Sequence, residues 1–285
     1  MAKYETYRAV AKSLVAPGVA ADAPGVSPFT IEVRFLGGLT DTQKNAFKAA
    51  ADRWCNMIVG DLPPVTVDGE LIDDLLILAQ GEDIDGPSGI LGQAGPTHLR
   101  PAAAGAAAFL PAKGVMSFDT ADLANMETAG TLNDVITHEM GHVLGIGTIW
   151  TRKRLLRGGG GSNPTFTGAA AKAEFGILRG TGPASVPVEN TGGPGTAGGH
   201  WRETVFRNEL MSGFISGPGN PISRVTVASL QDLGYVVNLD AAEPYELPNL
   251  MELAERGDLV AHSAPINAGI MLPNIPMVLP DDSLQ

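Results

Sequence analysis

The sequence predicts an α+β domain in which a sheet-and-helix half precedes an irregular, glycine-rich half. Three observations carry this. Residues 29–36 (FTIEVRFL) alternate apolar and polar side chains, the period of a half-buried strand, and residues 75–79 (LLILA) form a short unbroken apolar run suited to a buried one. Two long segments, from residue 41 and from residue 131, carry apolar side chains at helical spacing. Beyond them, residues 158–199 hold 13 of the 36 glycines, too many for regular structure to run uninterrupted.

The elements follow in order. Residues 1–28, Ala/Pro/Gly-rich after a short helical pattern, read as a lead-in arm. Thr40 or Asp41 caps the first long helix, whose apolar face is Phe47, Ala50, Ala51, Trp54 and Ile58, and Gly60 and Pro63 end it. A tight acidic loop, GEDIDGPSG, precedes two short strands, ILGQAGP and GVMSFD. Residues 131–145 are the clearest helix, with Thr131 and Asp134 in a capping-box pattern. A short helix is expected over 168–178 and a second convincing one over 224–233, closed by Gly234. The final 40 residues are punctuated by proline, with one helical stretch around 250–256. This divides the chain into an arm (1–28), a first subdomain (29–147), a second (148–243) and a C-terminal extension (244–285).

Composition narrows the function. The chain has 285 residues, 44% of them apolar, which supports a sizeable core. A net charge of −12 argues against a basic face for nucleic acid. A single cysteine excludes an internal disulfide, and no run reaches the ~18 apolar residues of a membrane span. The first residues lack the apolar stretch of a secretion signal, and the last lack the tail of a lipid-anchor signal.

The chemistry concentrates in His138-Glu139-Met140-Gly141-His142. Histidines four apart share one helix face, so both imidazoles can reach one metal, and the glutamate after the first can touch a metal-bound water. With 5 His in 285 residues, chance yields this H-E-x-x-H pattern about 0.004 times. Gly145 extends it to H-E-x-x-H-x-x-G, where a glycine lets the helix stop and the chain turn beneath the metal. The pattern resembles the metzincin clan of zinc peptidases, most of which place a third histidine three residues later. Thr148 stands there, so the third ligand comes from further along, among His98, His200 and His262.

His200 is followed by Trp201 and, eleven residues on, by Met211 within ELMSG. A delayed histidine, HW and E-L-M-[ST]-G resemble the leishmanolysin family, over about residues 29–238. That resemblance implies a twisted, mostly parallel sheet with one antiparallel edge strand, two long helices and an irregular C-terminal subdomain. It implies zinc on His138, His142 and His200, Glu139 as general base, and Met211 in a turn flooring the metal. Peptide or protein substrates would add as a strand along Ile90, Leu91, Gly92, Gln93 and Ala94. Gly213 stands where some metzincins carry a tyrosine.

A second resemblance, to the matrixins, lies in the paired segments DGPSGIL and FDTAD. It implies a structural calcium held by Asp85, Asp119 and Asp122 with the carbonyls of Gly86, Ser88 and Ile90. Cys55, beside Trp54 on the first helix, reads as a small buried hydrophobe. Two other functions remain open: an inactive, zinc-stabilised binding or adhesion module, and a metal-dependent hydrolase of another substrate class.

Overall fold

The computed structural model describes residues 4–12, 27–84, 86, 92–193, 195–215, 217–255, 270–271 and 275–285. Its first half is a sheet: β1 (Glu5–Val10), β2 (Thr30–Gly37), then, beyond helix α1 (Asp41–Met57) and the hairpin β3 (Val65–Val67) and β4 (Glu70–Ile72), β5 (Leu75–Glu82), β6 (Gly92–Leu99) and β7 (Pro111–Asp119). Two helices follow, α2 (Thr120–Ala129) and α3 (Leu132–Val143). The sheet order is β1-β2-β5-β7-β6: the three central strands run parallel, and β1 and β6 run antiparallel to their neighbours.

Local chemistry accounts for these elements. Thr40 Oγ1 accepts from Gln43 N–H while Gln43 Oε1 accepts from Thr40 N–H, a reciprocal cap on α1 worth about 1 kcal/mol. The apolar face of α1 buries Phe47, Ala50, Ala51, Trp54 and Cys55. Trp54 Nε1 donates to Thr137 O at 2.9 Å, which fixes α1 against α3.

The structure departs from the sequence expectation at four places. Glu5–Val10 is not arm or helix but a strand paired along its length with β2; only Ala9 of its side chains is buried, too faint an alternation to read. The β3–β4 hairpin and α2 are additional elements. Thr131 precedes α3 in the right-handed helical region, φ −98° and ψ −6°, rather than the extended conformation of a cap, and makes no side-chain cap, while Asp134 accepts from Gly219 N–H and Asn220 N–H. The sheet carries two antiparallel pairings rather than one, and β6 is not its last strand.

The second half holds β8 (Leu156–Arg157), β9 (Thr165–Phe166), α4 (Ala169–Leu178), β10 (Val186–Pro187), the single turn α5 (Glu203–Phe206), α6 (Arg224–Leu233) and α7 (Leu250–Glu255). Ser223 caps α6 and Gly234 ends it in the left-handed region, φ 117°. Two further strands return to the first half: β11 (Ile270–Met271) and β12 (Met277–Val278) both pair with β6 in parallel. Arg53 joins the halves through Glu243, at 2.6 and 2.7 Å. Among the described residues no helix is long and apolar enough to cross a membrane.

Candidate metal centre

α3 delivers His138 and His142 to one face and then stops. Leu144 closes the helix and Gly145 turns the chain at φ 110°, a conformation that strains any side chain. Gly147, at φ 74°, lets the returning backbone meet the loop before His200: a Cβ there would lie 2.1 Å from Gly199 O. Thr148, where a third histidine was sought, donates through Oγ1 to His142 O at 2.8 Å and so finishes the helix end.

His200 arrives from the glycine-rich half. Glu189 N–H donates to His200 O at 2.8 Å and Gly198 N–H to Glu189 O at 2.9 Å, which anchors the loop on both sides of the imidazole. Trp201, fully buried, stacks on Trp150 with centroids 4.8 Å apart and donates through Nε1 to Thr226 Oγ1 at 2.7 Å. The tryptophan after the histidine is thus the peg that seats it.

The three imidazoles share one arrangement. His138 Nδ1 bonds to Leu210 O at 2.6 Å, His142 Nδ1 to Ile146 O at 2.9 Å and His200 Nδ1 to Thr196 O at 2.9 Å. A carbonyl only accepts, so each ring carries its proton on Nδ1 and its lone pair on Nε2. The three Nε2 atoms lie 2.9, 3.0 and 3.1 Å apart. Neutral rings whose protons are already given to carbonyls cannot bond to one another, so three lone pairs converge on one point. A cation resolves that repulsion, and three imidazole nitrogens with carbonyl-fixed tautomers suit zinc. Burial holds all three rings neutral: His142 is pulled down to about 3, His200 to about 4, and His138 well below its ordinary value.

Beneath the histidines lies the turn at Glu209-Leu210-Met211. Leu210 supplies the carbonyl to His138, and Met211 packs under α3. A Cβ on Gly141 would lie 2.8 Å from Met211 Sδ and 3.0 Å from Trp54 Cζ2, so the helix must be bare there. Glu209 holds the turn. Its buried carboxylate accepts from Met211 N–H at 2.6 Å, Ser223 N–H at 3.0 Å, Ser223 Oγ at 2.8 Å and Thr226 Oγ1. Burial pushes this carboxyl up while the four bonds oppose the shift. The roles of Glu209 and Gly141 were not read from sequence, although both stand inside the motifs that were.

Glu139 is fully buried and neither carboxylate oxygen has a hydrogen-bond partner; Oε1 lies 4.0 Å from His138 Nε2. Burial pushes it up to about 8. An orphaned carboxylate beside three converging lone pairs is costly unless a metal and its water complete the site. A cavity of about 440 Å³ opens beside His142, walled by Gly147, Thr148, Thr151, Leu156 and the glycines of both loops, with no charged side chain.

Other expected residues stand elsewhere. His98 lies on β6, half-buried, with Nδ1 3.0 Å from Thr97 Oγ1, and His262 lies outside the described residues. Cys55 is buried and its thiol is pushed up to about 12. Asp85, Ser88, Ile90 and Leu91 are outside the described residues too. Asp119 has protein work of its own: Oδ2 accepts from Ile84 N–H at 2.9 Å and Gly86 N–H at 3.2 Å, and Oδ1 caps α2 through Ala121 N–H at 2.8 Å and Asp122 N–H at 3.3 Å. This clasp between loop and helix accounts for Asp119 without an ion, and calcium has no support. Asp61, Asp73 and Asp74 also approach one another, but Ser27, Arg8 and the backbone of Thr30 and Leu62 engage them. Of the expected substrate edge, Gly92 and Gln93 pair with Ile270 and Met271 instead of lying open.

Comparison with known proteins points to one family. The leishmanolysin family model matches residues 164–250, a span that holds His200 and Met211. The leishmanolysin of Leishmania donovani is 29% identical over 146 residues, covering 48% of this chain and 24% of the relative. The chain therefore spans about a quarter of that relative's length. Over these spans it is similar to leishmanolysin.

Proposed function

We propose that this chain is a zinc-dependent endopeptidase of the leishmanolysin type, with His138, His142 and His200 as ligands and Glu139 as general base. The observation that carries this is the convergence of three carbonyl-fixed imidazole nitrogens beside a buried, unpartnered carboxylate. Zinc, when bound, acidifies water toward a pKa of about 7 and polarises a carbonyl. Glu139 accepts the proton of the attacking water and returns it to the leaving amine. A base raised by burial toward neutral pH is suited to both transfers, since neither protonation state is far from reach. The open cavity beside His142 gives an extended peptide room for an uncharged side chain next to the metal ligands. A metzincin-like arrangement, with the cleft between the sheet half and the glycine-rich half, is part of this reading.

Glu139→Ala tests it. Glu139 is not a ligand, so zinc content measured by elemental analysis stays at one per chain. Hydrolysis of a quenched peptide library falls about 10²–10⁴-fold, the usual contribution of a positioned acid–base group. Near-normal turnover by a zinc-loaded variant refutes the mechanism. Zinc-loaded wild type that cleaves no peptide favours the binding-module reading instead.

A further inference from the structure

We propose that the turn at residues 152–155, on the rim of the cavity beside His142, is a subsite for carboxylate side chains, through which Arg152 and Arg154 select peptides that carry acidic residues close to the cleaved bond. The proposal rests on the peptidase reading above.

Charge is distributed unevenly along this chain. Residues 148–202 hold seven basic and two acidic side chains, and the remainder holds 12 and 29. Both acids of the segment are engaged. Glu174 pairs with Arg224 at 2.9 Å, and the buried Glu189 accepts from the N–H groups of Asn190, Thr191 and Glu203. Lys153 serves the fold, donating through Nζ to Ala108 O at 2.7 Å. Arg152 and Arg154 are exposed, and among the described residues neither makes an ion pair. Arg152 stands 5.7 Å from the centre of the Phe109 ring, a contact that holds a guanidinium in place without neutralising it.

The turn is held by its backbone. Lys153 N–H donates to Ile149 O at 2.9 Å, Arg154 N–H to Thr151 O at 3.0 Å and Leu155 N–H to Trp150 O at 2.8 Å, the pattern that closes a helical turn on a left-handed residue. That residue is Arg154, at φ 58°. Glycine is usual at such a position and any side chain is strained there. An arginine therefore stands at a cost in a segment well supplied with glycine.

The same turn borders the cavity. Thr151 and Leu156 both line it, as does His142, so the chain leaves the wall at one residue and regains it at the other, and the exposed residues between form a lip. No charged side chain lines the cavity, so an uncharged residue fits inside while a neighbouring carboxylate meets the guanidinium groups. A net charge of −12 repels an anionic bilayer or a long polyanion, whereas a short acidic peptide can reach the lip alone. Arg157 follows Leu156 on β8 and faces the other side of that strand, which makes it a control of equal charge.

The test uses the zinc-loaded chain and quenched peptides of one core that differ only in carrying Glu, Gln or Lys beside the cleaved bond, on one side and then on the other. Hydrolysis gives kcat and KM, and fluorescence anisotropy with zinc-loaded Glu139→Ala gives affinity without turnover. The expected result is a preference of about fivefold for Glu over Gln on one side, carried by KM and by affinity, that fades in about 0.5 M salt. Arg152→Gln/Arg154→Gln abolishes the preference, Arg152→Glu/Arg154→Glu turns it toward Lys, and Arg157→Gln changes it less than twofold. Arg154→Gly, which relieves the backbone, serves where a double variant folds poorly and lowers the preference about twofold. Equal handling of Glu and Gln peptides by an active wild type overturns the proposal alone. So does a preference that survives both Arg154→Gly and the double variants, or one that Arg157→Gln removes as fully. Sedimentation with phosphatidylserine vesicles that the double variants lose, without peptide preference, assigns the turn to a membrane and overturns it as well. Absence of hydrolysis of every peptide overturns the peptidase reading, and the selection with it.

Discussion

Gly141→Ala isolates the contact between the zinc-binding helix and the turn beneath it. Glycine inside an exposed helix is worth about 1 kcal/mol less than alanine, so at an open position the substitution stabilises by about that amount. Here the new methyl would stand 2.8 Å from Met211 Sδ, 3.0 Å from Met211 Cε and 3.0 Å from Trp54 Cζ2. Forcing a methyl into a packed interior costs about 1–3 kcal/mol. Set against the helical gain, the net is a destabilisation of about 0–2 kcal/mol, or a fall in melting temperature of up to about 4 °C. Met211 follows Leu210, whose carbonyl orients His138, so zinc affinity falls as well. The assay is thermal unfolding of the zinc-loaded protein with zinc affinity measured by competition, in the wild-type and Met211→Ala backgrounds. Met211→Ala empties the space, so Gly141→Ala should be at least about 1 kcal/mol more favourable there. A stabilisation of about 1 kcal/mol in both backgrounds would refute the contact.

His200→Ala should drop bound zinc well below one per chain while Glu139→Ala retains it; elemental analysis after dialysis decides. The metal-free protein should lose stability as pH falls from about 6.5 toward 5. Its three histidines have folded values far below the ordinary one, so the unfolded chain binds more protons across that window, and melting temperature against pH reads the slope. A flat profile would mean the imidazoles are not buried neutral. Asp119→Ala should cost about 1–3 kcal/mol through four lost backbone bonds, and by the same amount in calcium as in magnesium; a cost seen only in calcium would restore the ion.

Much of the site was legible because helical spacing is a local property. His138, Glu139 and His142 share a face by arithmetic alone, and Gly145 announces the helix end because few other residues accept its φ. The long helices and the apolar strands followed from periodicity, and Thr40 with Gln43 shows a cap made by neighbours three apart. His200 needed a motif rather than a period, because its approach to His138 spans 62 residues of chain.

What only the tertiary structure decided were the partners brought from a distance. The carbonyl that sets the His138 tautomer, Leu210 O, comes from 72 residues away, whereas Ile146 O and Thr196 O stand four residues from the rings they serve. Glu209 looks like an ordinary surface acid in sequence and is a fully buried clasp, because its four donors come from its own turn and from the start of α6. Asp134 looks like a helix cap and instead joins the two halves at Asn220. The covering of β6 could not be read either, since Ile270 meets Gly92 only once the whole chain has folded back on itself, and strand pairing reads backbone groups that every residue carries.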